Sequence, residues 1–193
     1  MSGARCRWDH RLDMQGPVDE QDKPGAQRAV IAQLLPELRA AARMLARSRA
    51  EADDLVQETV LRMLRGLPSF VAPPDLAHDP RAALRPWGLT VLRNTFREGW
   101  RRARRERDHL EANPPEEEAP RQSDQESAHE VRDLARAVSR LPPSMREALM
   151  LVSGRGLSHE AAAQICGVPV GTMKARVSRA RRALAAALAP VNA

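Results

Sequence analysis

Lys174, Ala175, Ser178, Arg179 and Arg182 fall on one side of a helix at 100° per residue. Two kinds of cation, a hydroxyl and a small side chain on one face suit close approach to base edges in a DNA groove. A solvated basic helix would carry the same charge run, and only what precedes it in the chain separates the two readings. A second basic set lies upstream. Arg93, Arg97, Arg101, Arg104 and Arg105 form one side of a helix that also carries Asn94, Trp87, Phe96 and Trp100. Rings that stack bases beside cations that hold phosphate are what a melted strand requires. Trp and Phe at helical spacing also build ordinary cores, and for the rings the core is the favoured reading. A third set is acidic: Asp54, Gln57 and Glu58 at helical spacing, with Asp53 beside them. It suits a partner surface, yet acids in a first turn also favour any helix through its dipole.

These residues need helices to position them. Leu157 to Leu188 reads as two helices at a tight turn. Ser158 is an N-cap with Glu160 in the first turn, and Ala162, Ala163 and Ile165 face inward. Gly167 takes the left-handed conformation that ends the first helix, and Pro169 stands just ahead of the second. Met173, Val177, Ala180 and Leu184 form the buried stripe of that second helix, with Arg176 and Arg181 flanking it. This is a helix-turn-helix, whose second helix enters the major groove.

Further upstream, Ile31, Leu34, Leu35, Leu38, Ala42 and Leu45 keep helical rhythm, with Pro36 expected to divide the stretch. A helix from about Ala50 to Arg65 has the stripe Ala52, Leu55, Val56, Thr59, Val60, Met63 and Leu64. Pro68, Pro73, Pro74 and Pro80 break the chain from Gly66 to Arg85, with Phe70 as an anchor. The Arg-rich helix is expected from about Pro86 to Arg107, with Leu89, Leu92, Phe96 and Trp100 inward. Val131, Leu134, Val138 and Leu141 mark a helix stopping at Pro142. Met145, Leu149 and Val152 mark another, closing near Gly154 and Gly156.

The fold expected is all-α: two small helical domains joined by a flexible linker, the C-terminal one a helix-turn-helix. Residues 1–25 read as a disordered leader, 26–107 as the first domain, 108–129 as an acidic linker and 130–193 as the second domain. Met14 is an alternative start to Met1. Aromatics at 3% with no Tyr speak against a β-rich fold in these 193 residues. A net charge of +6 suggests a polyanionic partner. Cys6 and Cys166 make no disulfide framework, Cys166 being expected as a small buried residue beside the turn, and the histidines lack ligand spacing. No metal, cofactor or nucleophilic constellation is expected, which leaves an enzyme least supported. No apolar run implies a signal peptide or membrane span, and a cytoplasmic protein is expected.

Three segments in order resemble a known family. ADDLVQETVLRMLR, RPWGLTVLRNTFREGWRRARRE and LPPSMREALMLVSGRGLSHEAAAQICGVPVGTMKARVSRARRAL resemble bacterial sigma factors of the extracytoplasmic-function (ECF) type. The match covers about residues 27–107 and 130–188. It looks nearest to the general stress response group of alphaproteobacteria. The resemblance implies an initiation factor with core RNA polymerase and promoter DNA as partners. Asp53, Asp54, Gln57 and Glu58 would dock on the polymerase β′ coiled coil, and the C-terminal module on the β flap. Asn94 would help hold a flipped minus-ten base, with Arg93, Arg97, Arg101 and Arg102 on the DNA nearby. The loop from Phe70 to Leu84 would complete that pocket, although its extra prolines and His78 depart from the compact family loop. Lys174, Ala175, Ser178 and Arg179 would read the minus-thirty-five element, with Arg155, Thr172, Arg176 and Arg182 on phosphates. An anti-sigma protein, seated in the seams between the domains, is also implied. Two other classes remain: an ordinary helix-turn-helix regulator, and a sigma-like decoy that binds an anti-sigma protein. The first would not need DDLVQE and usually needs a dimerisation helix; the second would lack the basic reading residues.

Overall fold

The structure, a computed structural model, describes residues 23–110 and 127–189. Among them every regular element is helical. The order is α1 (Lys23–Leu45), α2 (Arg49–Gly66), α3 (Pro80–Leu110), α4 (Ser127–Arg140), α5 (Pro143–Leu149), α6 (His159–Cys166) and α7 (Val170–Leu188). Most of the expected leader and of the acidic linker, and residues 190–193, lie outside the described residues. Lys23–Gly25 of the leader are helical, as are the ends of the linker, which extend α3 and begin α4.

α1, α2 and α3 pack as a three-helix domain. Their 3-4 spacing places Leu34, Leu38, Leu45, Met63, Leu84, Leu89 and Leu92 out of water. Each such side chain contributes roughly 1.5–3 kcal/mol relative to exposure. Gly88 allows α2 and α3 to approach, since a Cβ there would sit 2.9 Å from Met63 Cε. Ser48 caps α2, its hydroxyl accepting from the Glu51 N–H at 3.1 Å.

Pro36 does not divide α1, which runs unbroken through it. Pro36 and Ala32, one turn earlier, both face solvent, where water can meet the carbonyl that proline leaves unpaired. The break after α2 is also shorter than expected. It holds two 3₁₀ turns, Leu67–Ser69 and Pro74–Leu76, and α3 then starts at Pro80 rather than Pro86. Asp79 makes that early start possible. Its Oδ1 accepts from the Arg81 and Ala82 N–H groups, each at 3.0 Å. Phe70 does anchor the loop, half-buried against Trp87 with ring centroids 4.8 Å apart. Leu64 and Leu134, expected on inner stripes, are exposed.

α4, α5 and α6 pack around α7. Between α5 and α6 the chain makes a π-helical turn, Met150–Gly154. The two domains also pack on each other. One continuous core runs from Leu34 and Leu92 through Met150, Leu151 and Ile165 to Met173.

Candidate nucleic-acid interface

α6 and α7 form the expected helix-turn-helix. The Ser158 hydroxyl accepts from the Ala161 N–H at 3.1 Å. Its own backbone N–H and the Ser158 hydroxyl hold the Glu160 carboxyl below the usual carboxylate range. Gly167 ends α6 at φ +63°, a conformation that a Cβ would strain. Its N–H and that of Val168 close onto Ala163 and Gln164 carbonyls. Met173, Val177 and Ala180 are buried, and Leu184 is half-buried against the smaller core around Val138, Leu141 and Leu149. That spends one side of α7 on packing. Lys174, Ala175, Ser178, Arg179 and Arg182 are all exposed on the other side. Arg179 lays its Nε on the Ala175 carbonyl at 3.3 Å.

Thr172 and Arg176 sit at the margin, half-buried, and Nη1 of Arg176 is buried without a hydrogen-bond partner. Arg155 departs further from the expected phosphate contact. It is half-buried, and its Nη1 donates to the Glu37 carbonyl of α1 at 3.4 Å. In return Arg85 of α3 donates to the Arg155 carbonyl at 2.8 Å and to Glu37 Oε1 at 2.7 Å. Arg155 is therefore tied between domains.

On α3 the expected basic side divides. Arg101 and Arg102 are exposed, and Asn94 is exposed. Arg93 is not on an outward face. It is 6% exposed, and its guanidinium is enclosed by the second domain. Nε donates to Glu147 Oε2 at 3.0 Å, Nη1 to the Ile165 carbonyl at 3.3 Å, and Nη2 to the Cys166 carbonyl at 3.2 Å. Nη1 also reaches Asn94 Oδ1 at 3.2 Å. Arg93 thus caps the C-terminus of α6, where carbonyls lack helical partners and the dipole favours a cation. Arg97 is half-buried and donates to the other oxygen, Glu147 Oε1, at 2.7 Å. The reason for the correction is tertiary: α5 and α6 pack over the side of α3 that helical spacing alone leaves to solvent. The rings follow the core reading, with Trp87 and Phe96 buried. Trp100 is half-buried, with Arg104 5.6 Å over its ring.

Glu147 escaped the sequence reading, as did Arg146 and Arg85. Glu147 is 0% exposed. Arg146 beside it is buried, donating to carbonyls of Leu45 at 2.5 Å and Ser139 at 2.6 Å. The available signal was an Arg-Glu pair between Met145 and Ala148-Leu149. A short amphipathic helix shows the same pattern with its charges in water.

The acidic set lies on α2. Asp53, Asp54 and Gln57 are exposed and Glu58 is half-buried. Arg62 bridges Glu58 and Glu98, at 2.6 Å to each, and its hydrogen bond holds the Glu58 carboxyl below the usual range. Asp54 and Glu58 border a groove of about 430 Å³ whose apolar lining comes from Leu55, Phe96 and Trp100. Arg62 and Arg102 line it as well, so an acidic edge at Glu51, Asp54 and Glu58 meets a basic one across the apolar walls. Among the described residues no cluster of His, Cys, Asp and Glu could hold a metal, and no helix is long and apolar enough to cross a membrane.

Comparison with known proteins agrees with this two-part layout. Residues 30–106 match the model for sigma-70 region 2, and residues 132–184 that for sigma-70 region 4. The chain is 42% identical over 155 residues to the ECF RNA polymerase sigma factor EcfG of Rhodopseudomonas palustris, covering 80% of each chain. It is 34% identical over 139 residues to the ECF RNA polymerase sigma factor SigC of Mycobacterium tuberculosis, covering 72% of this chain and 71% of that one. Among solved structures it is similar to the sigma factor RpoE of Bartonella quintana, seen with the anti-sigma factor NepR. The TM-score is 0.68 at 33% identity, over 83% of this chain and 95% of that one.

Proposed function

The chain belongs to the sigma-70 family as an ECF RNA polymerase sigma factor, and from that membership we propose how its two domains divide the work of directing transcription initiation. The protein performs no chemistry of its own; polymerase makes the bonds. The first domain, residues 26–107, docks on the β′ coiled coil through Asp53, Asp54, Gln57 and Glu58. It then stabilises a melted minus-ten strand. Base flipping costs a few kcal/mol, which Asn94 and the loop from Phe70 to Leu84 must offset. Arg101 and Arg102 supply phosphate contacts beside them, and Arg93 and Arg97 join once they are released from Glu147.

The second domain, residues 130–193, contacts the β flap and reads the minus-thirty-five element. Lys174, Ser178 and Arg179 address base edges, Ala175 allows close approach, and Thr172, Arg176 and Arg182 address phosphates. The observation that carries this reading is α7 itself. Met173, Val177 and Ala180 are taken up in packing, and Lys174, Ser178 and Arg179 share the opposite face, left to solvent.

Working on polymerase makes the chain cytoplasmic, and its likeness to EcfG supports stress-response genes as its targets. The Bartonella quintana relative bound to NepR supports an anti-sigma partner here too.

Transcription in vitro with core polymerase over a promoter library tests the reading. Transcripts from one motif pair that depend on this chain are expected. Asp54→Ala with Glu58→Ala should weaken core binding, measured by titration, with the fold unchanged by circular dichroism. Core affinity equal to wild type would return these acids to a helix-dipole role.

A further inference from the structure

Among the described residues, the Arg93–Glu147–Arg97 cluster is where side chains assigned to promoter DNA are satisfied by a carboxylate of the chain itself. Glu147 offers one carboxylate oxygen to each arginine, at 3.0 and 2.7 Å, with no exposure to water. Arg–carboxylate and Arg–phosphate pairing use the same planar donors and similar geometry. We propose that Glu147 is an internal stand-in for promoter phosphate, which keeps the free chain closed and its minus-ten arginines occupied until DNA displaces it. This rests on the reading of Arg93 and Arg97 as DNA contacts.

Other contacts between the domains differ in kind. The Glu37–Arg85–Arg155 ring and the Arg146 bond to Leu45 tie residues that the DNA reading does not need on its minus-ten side. Gly154 packs on the Met44 side chain, which a Cβ at 154 would overlap. These contacts add to the closed form without choosing between carboxylate and phosphate. Glu147 does choose. Removing its charge leaves Arg93 buried with no counter-ion in the closed form, whereas Arg93 is hydrated in an open one. The charge therefore sets the balance between the two forms.

The test uses the full chain with Cys6→Ser and spin labels on Ala50→Cys and Ala186→Cys, both exposed positions on opposite domains. Cys166→Ala is included in every variant, because the buried Cys166 thiol lies in the core that the two domains share and would meet label once they part. Wild type should give a narrow interlabel distance that lengthens on titration with short random-sequence single-stranded DNA. Glu147→Gln should broaden and lengthen it without DNA. It should also bind that DNA at least tenfold tighter, the factor for a closed form outnumbering the open one by ten to one or more. Gly154→Leu, which opens the interface sterically and leaves the charges alone, is the second route should Glu147→Gln fold poorly. It too should tighten DNA binding. Two results would overturn the proposal. One is a narrow distance in Glu147→Gln while Gly154→Leu opens, which would assign the closure to apolar packing. The other is an opened chain with unchanged DNA affinity, which would remove Arg93 and Arg97 from the DNA. Absence of transcripts from wild type with core polymerase would instead sink the initiation-factor reading, and the distances are independent of it.

Discussion

α3 and α7 carry much the same sequence pattern, an apolar stripe opposed by arginines, and they end in different circumstances. α7 keeps Lys174, Arg179 and Arg182 in water. α3 gives Arg93 and Arg97 to Glu147, which is 54 residues from Arg93 in sequence, and keeps Arg101 and Arg102, beyond the covered stretch, exposed. Charge periodicity therefore locates a cationic face but does not say what faces it. For α7 the answer is local, because its own packing stripe determines the free side. For α3 the answer lies in another domain.

Arg93→Ala breaks the comparison most sharply. It leaves Glu147 buried with Arg97 alone, and removing one partner of a buried pair costs about 3–5 kcal/mol. Chemical denaturation should read that loss directly, while the α7 substitution described below should leave the midpoint almost unmoved. The alkaline limb of the stability profile sharpens the same contrast. Burial raises the Cys166 thiol from 9.0 to about 11, with the Arg93 guanidinium pulling against it. The folded protein thus favours the neutral thiol. The stability gained is complete below 9.0 and disappears as pH rises toward about 11, on the order of 2 kcal/mol. Cys166→Ala should flatten that limb in urea titrations run at several pH values.

Arg179→Ala tests the open side. It should shift stability by less than about 0.5 kcal/mol and erase about 1–3 kcal/mol of minus-thirty-five discrimination. Promoter variants ranked as by wild type would remove Arg179 from the reading face. Smallest is Ser158→Ala, which deletes the cap of α6 and should cost about 1 kcal/mol in thermal unfolding. Glu160 would lose a hydroxyl partner at the same time, so its carboxyl should titrate closer to the ordinary range.

The helix-turn-helix is legible in sequence because everything that shapes it is near in the chain. Ser158 caps, Gly167 turns, and Met173, Val177 and Ala180 fix which side of α7 is buried. The side of α7 left to solvent follows from that. The start of α3 is harder, because Asp79 caps a helix that its prolines argue against. Pro36 misleads for a related reason: the cost of an interior proline is set by whether water can reach the freed carbonyl. Glu147 and the fate of Arg93 are not legible at all. Both depend on how two domains meet, and neither helix records its neighbour in its own periodicity.

The core that runs from Leu34 to Met173 has a calorimetric consequence. Two domains that share buried side chains do not melt as separate bodies. The closed chain should absorb heat in one transition, with calorimetric and van't Hoff enthalpies equal. Glu147→Gln, by parting the domains, should split the peak in two. Amide protons on the inner side of α5 should then exchange with solvent long before those of α1, although neither helix has lost a residue.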